Sequence, residues 1–155
     1  MKICIFGADG RTGVEVVNYA KQQGHEVTAF VYSDTSNKYF PSDIIIKQGN
    51  ILDYDKVLDA IRGSEAVVSV IGHIKGSDPL MQTKGITNIV SAMNILGVKR
   101  ILSLTGTGAR EMDDKPSLVD VFLNALVMLI DPIRIQDAIQ HALGFFLTSG
   151  IDLAA

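Results

Sequence analysis

The 155-residue chain has one cysteine, Cys4, so no disulfide can form within it. Cys4 lies in the first apolar run, where a small buried hydrophobe in a reducing compartment is the expected role. An excess of one charge is also missing. Fourteen Lys and Arg against 17 Asp and Glu leave a formal −3, which gives no electrostatic footprint for nucleic acid or an anionic membrane surface. Long hydrophobic runs are absent too. The most apolar stretch, Leu118 to Ile130, spans 13 residues and contains Asp120 and Asn124, too short and too polar for a membrane span. No secretory leader is visible, because Lys2 and a strand-like run meet a glycine loop within six residues, and the cytoplasm is the default location. The three histidines, His25, His73 and His141, form no pair with metal-ligand spacing, so no metal is expected.

What remains is an ordinary globular composition, 47% hydrophobic and 20% charged, and a length that suits a single domain over residues 1–155. The organising stretch comes first. An apolar run, Ile3 to Phe6, breaks at Gly7, Gly10 and Gly13, and a helical pattern through Val14, Val17 and Ala20 follows and ends near Gly24. Strand, glycine turn and helix in that order are the setting of a dinucleotide-binding loop. Gly7 allows the sharp turn, Gly10 lets backbone approach a pyrophosphate, and Gly13 lets the helix pack on the strand. The anion then sits at a helix N-terminus.

Further along, His25–Tyr32 alternates as a second strand, and Ser33 to Asn37 and Pro41-Ser42 carry loop chemistry. The wholly apolar Ile44-Ile45-Ile46 suits a third strand buried on both faces. Asp53 caps a helix through Val57, Leu58 and Ile61 that stops at Gly63. Glu65–Ile71 gives a fourth strand, stopped by Gly72. A helix through Ile86, Ile89, Val90, Met93 and Leu96 closes at Gly97, and Val98–Leu104 gives a fifth strand. Beyond Thr105-Gly-Thr-Gly108 the pattern predicts two helices, Ser117–Ile130 and Pro132–Thr148, and the start of a strand at Ile151–Leu153. The alternation predicts an α/β fold: a Rossmann-type, doubly wound parallel sheet with helices on both faces, and ligands at the carboxyl ends of its strands.

Five stretches carry a resemblance. Gly7-Ala-Asp-Gly-Arg-Thr-Gly13, Gly24-His-Glu-Val-Thr28, Gly49-Asn-Ile-Leu-Asp53, Ala66-Val-Val-Ser69 and Gly97-Val-Lys-Arg-Ile101, in that order, resemble the atypical short-chain dehydrogenase/reductases. Within these they are most similar to the NmrA-like proteins and the biliverdin/flavin reductase type. The resemblance implies a nicotinamide nucleotide and often reduction of a flavin, quinone or similar acceptor. It implies that Gly7, Asp9, Gly10, Arg11, Thr12 and Gly13 surround the pyrophosphate and that Asn50 and Ile51 contact the adenine. Ile71, Gly72 and His73 would run past the ribose and nicotinamide, and Thr105 would lie near the nicotinamide. His73, Thr105 and Thr107 are the candidate substrate contacts; otherwise they are loop and turn residues. No catalytic residue is assigned.

The chain departs from that family in three ways. An acid at the end of the second strand would choose NAD and an arginine NADP, yet Val31 and Tyr32 stand there. With no acid at that position, Arg11, Ser33 and Lys38 are free to hold a 2′-phosphate, which favours NADP and leaves NAD open; Tyr32 could instead stack on the adenine. Second, the tyrosine acid with a lysine four residues on, used for carbonyl reduction, is missing: Tyr19, Tyr32, Tyr39 and Tyr54 all precede the fifth strand. Reduction of an aromatic acceptor such as a flavin or quinone does not need it. Third, the family continues past Ser149-Gly-Ile-Asp152, so the chain reads either as truncated before the C-terminal substrate-side region or as a natural minimal domain. The function expected is therefore NAD(P)H-dependent reduction of a small aromatic acceptor. The alternatives are a non-catalytic NAD(P)-sensing regulator of the NmrA-like type or a sugar-nucleotide epimerase/dehydratase relative. The Val121–Ile130 stretch is apolar all round and suits core packing, a lid or a homodimer contact.

Overall fold

The computed structural model describes residues 1–33, 40–74, 76–104 and 137. Among these residues five strands and three helices follow one another: β1 (Lys2–Phe6), α1 (Arg11–Gln22), β2 (Glu26–Val31), β3 (Ile45–Gln48), α2 (Tyr54–Ile61), β4 (Ala66–Ser69), α3 (Met81–Leu96) and β5 (Arg100–Ser103). The strands form one parallel sheet in the order β3-β2-β1-β4-β5. This is the doubly wound α/β sheet expected from the sequence.

The strand pleat sends neighbouring residues to opposite faces, and each face acquires its own core. Cys4, Phe6, Phe30 and Val67 point to one side and pack with Val57, Ala60 and Ile61 of α2 and Ile86, Ile89, Val90 and Met93 of α3. Ile5, Val27, Ala29 and Val31 point to the other side and pack with Val17 and Ala20 of α1. The split follows from topology. The chain moves outward from β1 to β2 and β3, then crosses back to β4, so right-handed crossovers place α1 on one face and α2 and α3 on the other. Burial pushes the Cys4 thiol up, so it is a neutral core atom and an inert one.

The helix ends follow local chemistry. Asp53 accepts from Lys56 N at 3.3 Å at the start of α2. Gly97, at φ +73°, closes α3, and Val98 N returns to Met93 O at 2.9 Å. One expectation is corrected. Ile44-Ile45-Ile46 is not buried on both faces, because β3 is an outer strand of the sheet. Ile44 is buried, Ile46 half-buried, and Ile45 is 57% exposed. The strand also starts and ends later than the apolar triplet, at Ile45–Gln48. β2, β4 and β5 are one or two residues shorter at each end than their apolar runs, and β1 begins one residue earlier and ends where expected. The expected helices at 117–130 and 132–148 and the strand at 151–153 lie outside the described residues. So do Lys38, Thr105 and Thr107.

Candidate functional site

Strand order reverses between β1 and β4, and their carboxyl ends open a crevice there. The glycine loop fills its floor. Gly7 has φ +76°, and a Cβ on it would stand 3.0 Å from Val70 O and 3.2 Å from Ile71 Cα. Any side chain at Gly7 would therefore push the loop off the end of β4. Gly10 N donates to Gly7 O at 3.1 Å, which closes the turn, and Ala8 N donates to Phe30 O at 3.2 Å, which ties it to β2. A Cβ on Gly13 would overlap Gly7 O and come within 2.7 Å of Ala8 Cα, so the first turn of α1 can lie on the loop only because that residue is glycine.

Gly10 is the N-cap of α1, and no side chain caps that helix. The first N–H groups of α1 are thus left for a ligand, at the positive end of the helix dipole. A cleft of about 340 Å3 runs along these elements. Gly7, Asp9 and Gly10 line one stretch, Tyr32 another, Asn50 and Ile51 a third, and Ile71 and Gly72 a fourth. These eight expected site residues come together from four separate segments of sequence. Arg11 and Thr12 are exposed at the start of α1, and Gly13 is buried beneath them. The uncapped helix, the glycine cradle and an apolar wall of Ile71, Ile74 and Met81 fit a phosphate-linked aromatic nucleotide.

The adenine-side residues are held from below. Asn50 Oδ1 accepts from Leu52 N at 2.9 Å, and Asn88 Nδ2 donates to Ile51 O at 2.9 Å. Ile51 rests against Gly85 of α3, where a Cβ would come within 3.1 Å of its side chain. Tyr32 is 61% exposed, so its ring is free to lie over a flat ligand.

Two carboxylates make long-range contacts in this region that the sequence did not show. Asp9 Oδ2 accepts from Tyr32 N at 3.1 Å, Ser33 N at 2.9 Å and Ser33 Oγ at 3.0 Å. The loop acid thus occupies the end of β2, and the Ser33 donors that the sequence offers to a 2′-phosphate already serve Asp9. Asp137 is fully buried. Its Oδ2 accepts from Gln82 N at 2.9 Å and its Oδ1 from Thr83 N at 3.0 Å, and Thr83 Oγ1 donates to Asp137 O at 3.2 Å. Leu80 at the N-cap of α3 makes no side-chain cap, so a residue 55 positions away from Gln82 supplies it.

His73 completes that second group. Its Nδ1 lies 3.2 Å from Ser77 Oγ, and its Nε2 lies 3.0 Å from Asp137 Oδ2. The Nε2 contact has ion-pair distance without the alignment of a hydrogen bond. The ring therefore faces Ser77 and Asp137 and does not line the cleft, although Gly72 and Ser77 on either side of it do. Gln82 Nε2 donates to Ile71 O at 3.2 Å and fixes the backbone before it. Phe30, Leu52, Ile74, Ser77, Asp78 and Met81 also line the cleft. The sequence assigned none of them to the site. The loop position of Ser77 and Asp78, directly after a strand end, was the one signal available.

No helix among the described residues is long and apolar enough to cross a membrane. Sequence comparison places residues 7–140 in the family described as NAD(P)H-binding. The uncharacterised protein YwnB of Bacillus subtilis is 31% identical over 114 residues, covering 74% of this chain and 51% of YwnB. The chain thus spans about half the length of that curated relative. Among solved structures, ChuY, an anaerobilin reductase from Escherichia coli O157:H7, superposes with a TM-score of 0.73 at 17% identity, over 98% of this chain and 69% of ChuY. A short-chain dehydrogenase/reductase from Veillonella parvula in complex with NADP gives 0.71 at 16% identity, over 97% of this chain and 65% of that one. Fold, glycine cradle and family match agree: the chain belongs to the NAD(P)H-binding family.

Proposed function

We propose that the chain is a reductase that binds a nicotinamide nucleotide across the β1/β4 crevice and passes its hydride to a flavin, quinone or related aromatic acceptor. The bound nucleotide supplies the hydride; the chain's own residues bind and orient. Gly7, Gly10, Arg11, Thr12 and Gly13 hold the pyrophosphate against the start of α1, Asn50 and Ile51 border the adenine, and Ile71 and Gly72 border the ribose. The sequence favours NADPH as that nucleotide and leaves NADH open.

The observation that carries the proposal is what the cleft offers and what it lacks. Its walls are mostly glycine backbone and apolar side chains, with Asp9, Asn50, Ser77 and Asp78 as the polar ones, and the one tyrosine lining it among the described residues, Tyr32, stands beside the glycine loop at the end of β2. Among the described residues, no tyrosine with a lysine four positions on faces it. Such a site positions and stacks but holds no tyrosine acid for a carbonyl oxygen. An acceptor whose aromatic ring takes the hydride needs only a proton from solvent, and it suits these walls. ChuY, by its name a reductase of an anaerobilin, is compatible with such an acceptor.

The test is direct. The protein is mixed with NADH or NADPH and with FMN or menadione, and absorbance is followed at about 340 nm, where reduced nicotinamide absorbs. Oxidation above the protein-free background is expected with at least one pair. Absence of turnover with every pair, despite nucleotide binding, would favour the nucleotide-sensing regulator instead.

A further inference from the structure

We infer that Asp9 makes this site select NAD(H) over NADP(H), by filling from within the chain the nest of donors that a 2′-phosphate would need. The inference rests on the nucleotide reading of the cleft and concerns the choice between two forms of that ligand.

The end of the second strand is where an adenosine ribose meets the protein in this fold. An acid there accepts from the ribose hydroxyls, and a cation there holds the added phosphate. Tyr32 at that place is neither. The structure brings the missing acid from the glycine loop, 23 residues earlier. Three donors converge on one oxygen: the N–H of Tyr32, the N–H of Ser33 and the hydroxyl of Ser33 all point at Asp9 Oδ2, at 3.1, 2.9 and 3.0 Å. Successive backbone N–H groups with a hydroxyl beside them are a ready anion site. Here the anion is a side chain of the protein itself.

Two consequences follow. The Tyr32 N–H, the Ser33 N–H and the Ser33 hydroxyl, which a 2′-phosphate at this strand end would use, already serve Asp9, so the phosphate would have to displace Asp9 or go without them. A phosphate placed beside them would also stand next to a carboxylate, and like charges at such a distance repel. A ribose hydroxyl meets neither obstacle. Asp9 lines the cleft, and none of the three bonds uses its Oδ1, which leaves that oxygen to accept from a hydroxyl. Arg11 makes no ion pair with Asp9 among the described residues. Its place at the first turn of α1 suits the pyrophosphate, which both nucleotides share.

The experiment is a fluorescence titration of the full chain with NADH and NADPH, repeated with Asp9→Asn and Asp9→Ala. Asp9→Asn keeps the size and an acceptor oxygen and removes the charge; Asp9→Ala frees all three donors. The wild type should bind NADH at least about tenfold more tightly, a difference of ~1.4 kcal/mol. Asp9→Ala should close most of that gap, chiefly by tightening NADPH, with Asp9→Asn between the two. Equal or tighter NADPH binding by the wild type would overturn the inference, as would variants that shift both nucleotides alike. Failure to bind either nucleotide would remove the reading of the cleft itself. NADH-selective binding without acceptor reduction would support the role of Asp9 and count against the reductase.

Discussion

Asp9 and Asp137 make the same bond pattern in two places and serve different ends. Each carboxylate reaches across the fold and accepts two successive backbone N–H groups from a segment distant in sequence. Asp9 does so at the mouth of the cleft, half-buried, onto the end of β2, with a hydroxyl as its third donor. Asp137 does so with no exposed surface, onto the second and third residues of α3, with an imidazole as its neighbour. Those are the N–H groups that an N-cap side chain would satisfy, and a negative group there also meets the helix dipole. Burial separates the two roles. Water can replace Asp9, so its effect falls on the ligand. Nothing can replace Asp137, so its effect falls on the fold.

The largest expected effect tests that division. Asp137→Ala strands two donors at the start of α3 away from water, and the loss should be about 2–4 kcal/mol. For a chain of this size each kcal/mol lowers Tm by roughly 2–4 °C, so a thermal melt should fall by roughly 5–15 °C. Asp9→Ala exposes its donors to solvent and should cost at most about 1 kcal/mol. Comparable melts for the two variants would break the comparison. Asp137→Asn sharpens it: its amide offers one acceptor in place of two, and its melt should lie between those of the wild type and Asp137→Ala.

Neither pairing was legible in the sequence, and the reason is physical. The features that were read rest on local chemistry: glycine at Gly7, Gly10 and Gly13, the cap at Asp53, and apolar spacing along α2 and α3. Contacts between Asp9 and Ser33, 24 positions apart, or Asp137 and Thr83, 54 apart, leave no periodic trace. They exist only once the sheet has brought loop ends together. The same cause underlies the error at β3. Three consecutive isoleucines look like a central strand, but strand order is a property of the whole sheet, and Ile45 stands on its edge. The eight cleft residues anticipated from sequence lie on loops that follow strand ends, which is where the fold itself predicts ligands. His73 lies on such a loop too, but its ring faces Ser77 and Asp137, and Asp137 lies 64 residues later, a contact that no local pattern shows.

A third aspartate at the cleft supplies the smallest effect and the control for the other two. Asp78 is half-buried and pairs within its own neighbourhood: Lys84 Nζ lies 2.7 Å from Oδ2, and Leu80 N donates to Oδ1 at 2.7 Å. The Lys84 bond first, and the Leu80 N–H second, hold its carboxyl below the ordinary range. A carboxyl with a depressed pKa contributes stability that is complete above its unfolded pKa and is lost as pH falls through the folded one. The stability gap between wild type and Asp78→Asn should therefore stay constant above about pH 5 and close as the solution is acidified further. Because the pair is open to solvent, salt should narrow the gap at neutral pH. Urea melts at several pH values and two salt concentrations would measure it. A gap that widened toward low pH would mean that Lys84 is not what depresses Asp78. A gap as large as that of Asp137→Ala would mean that burial is not what separates these carboxylates.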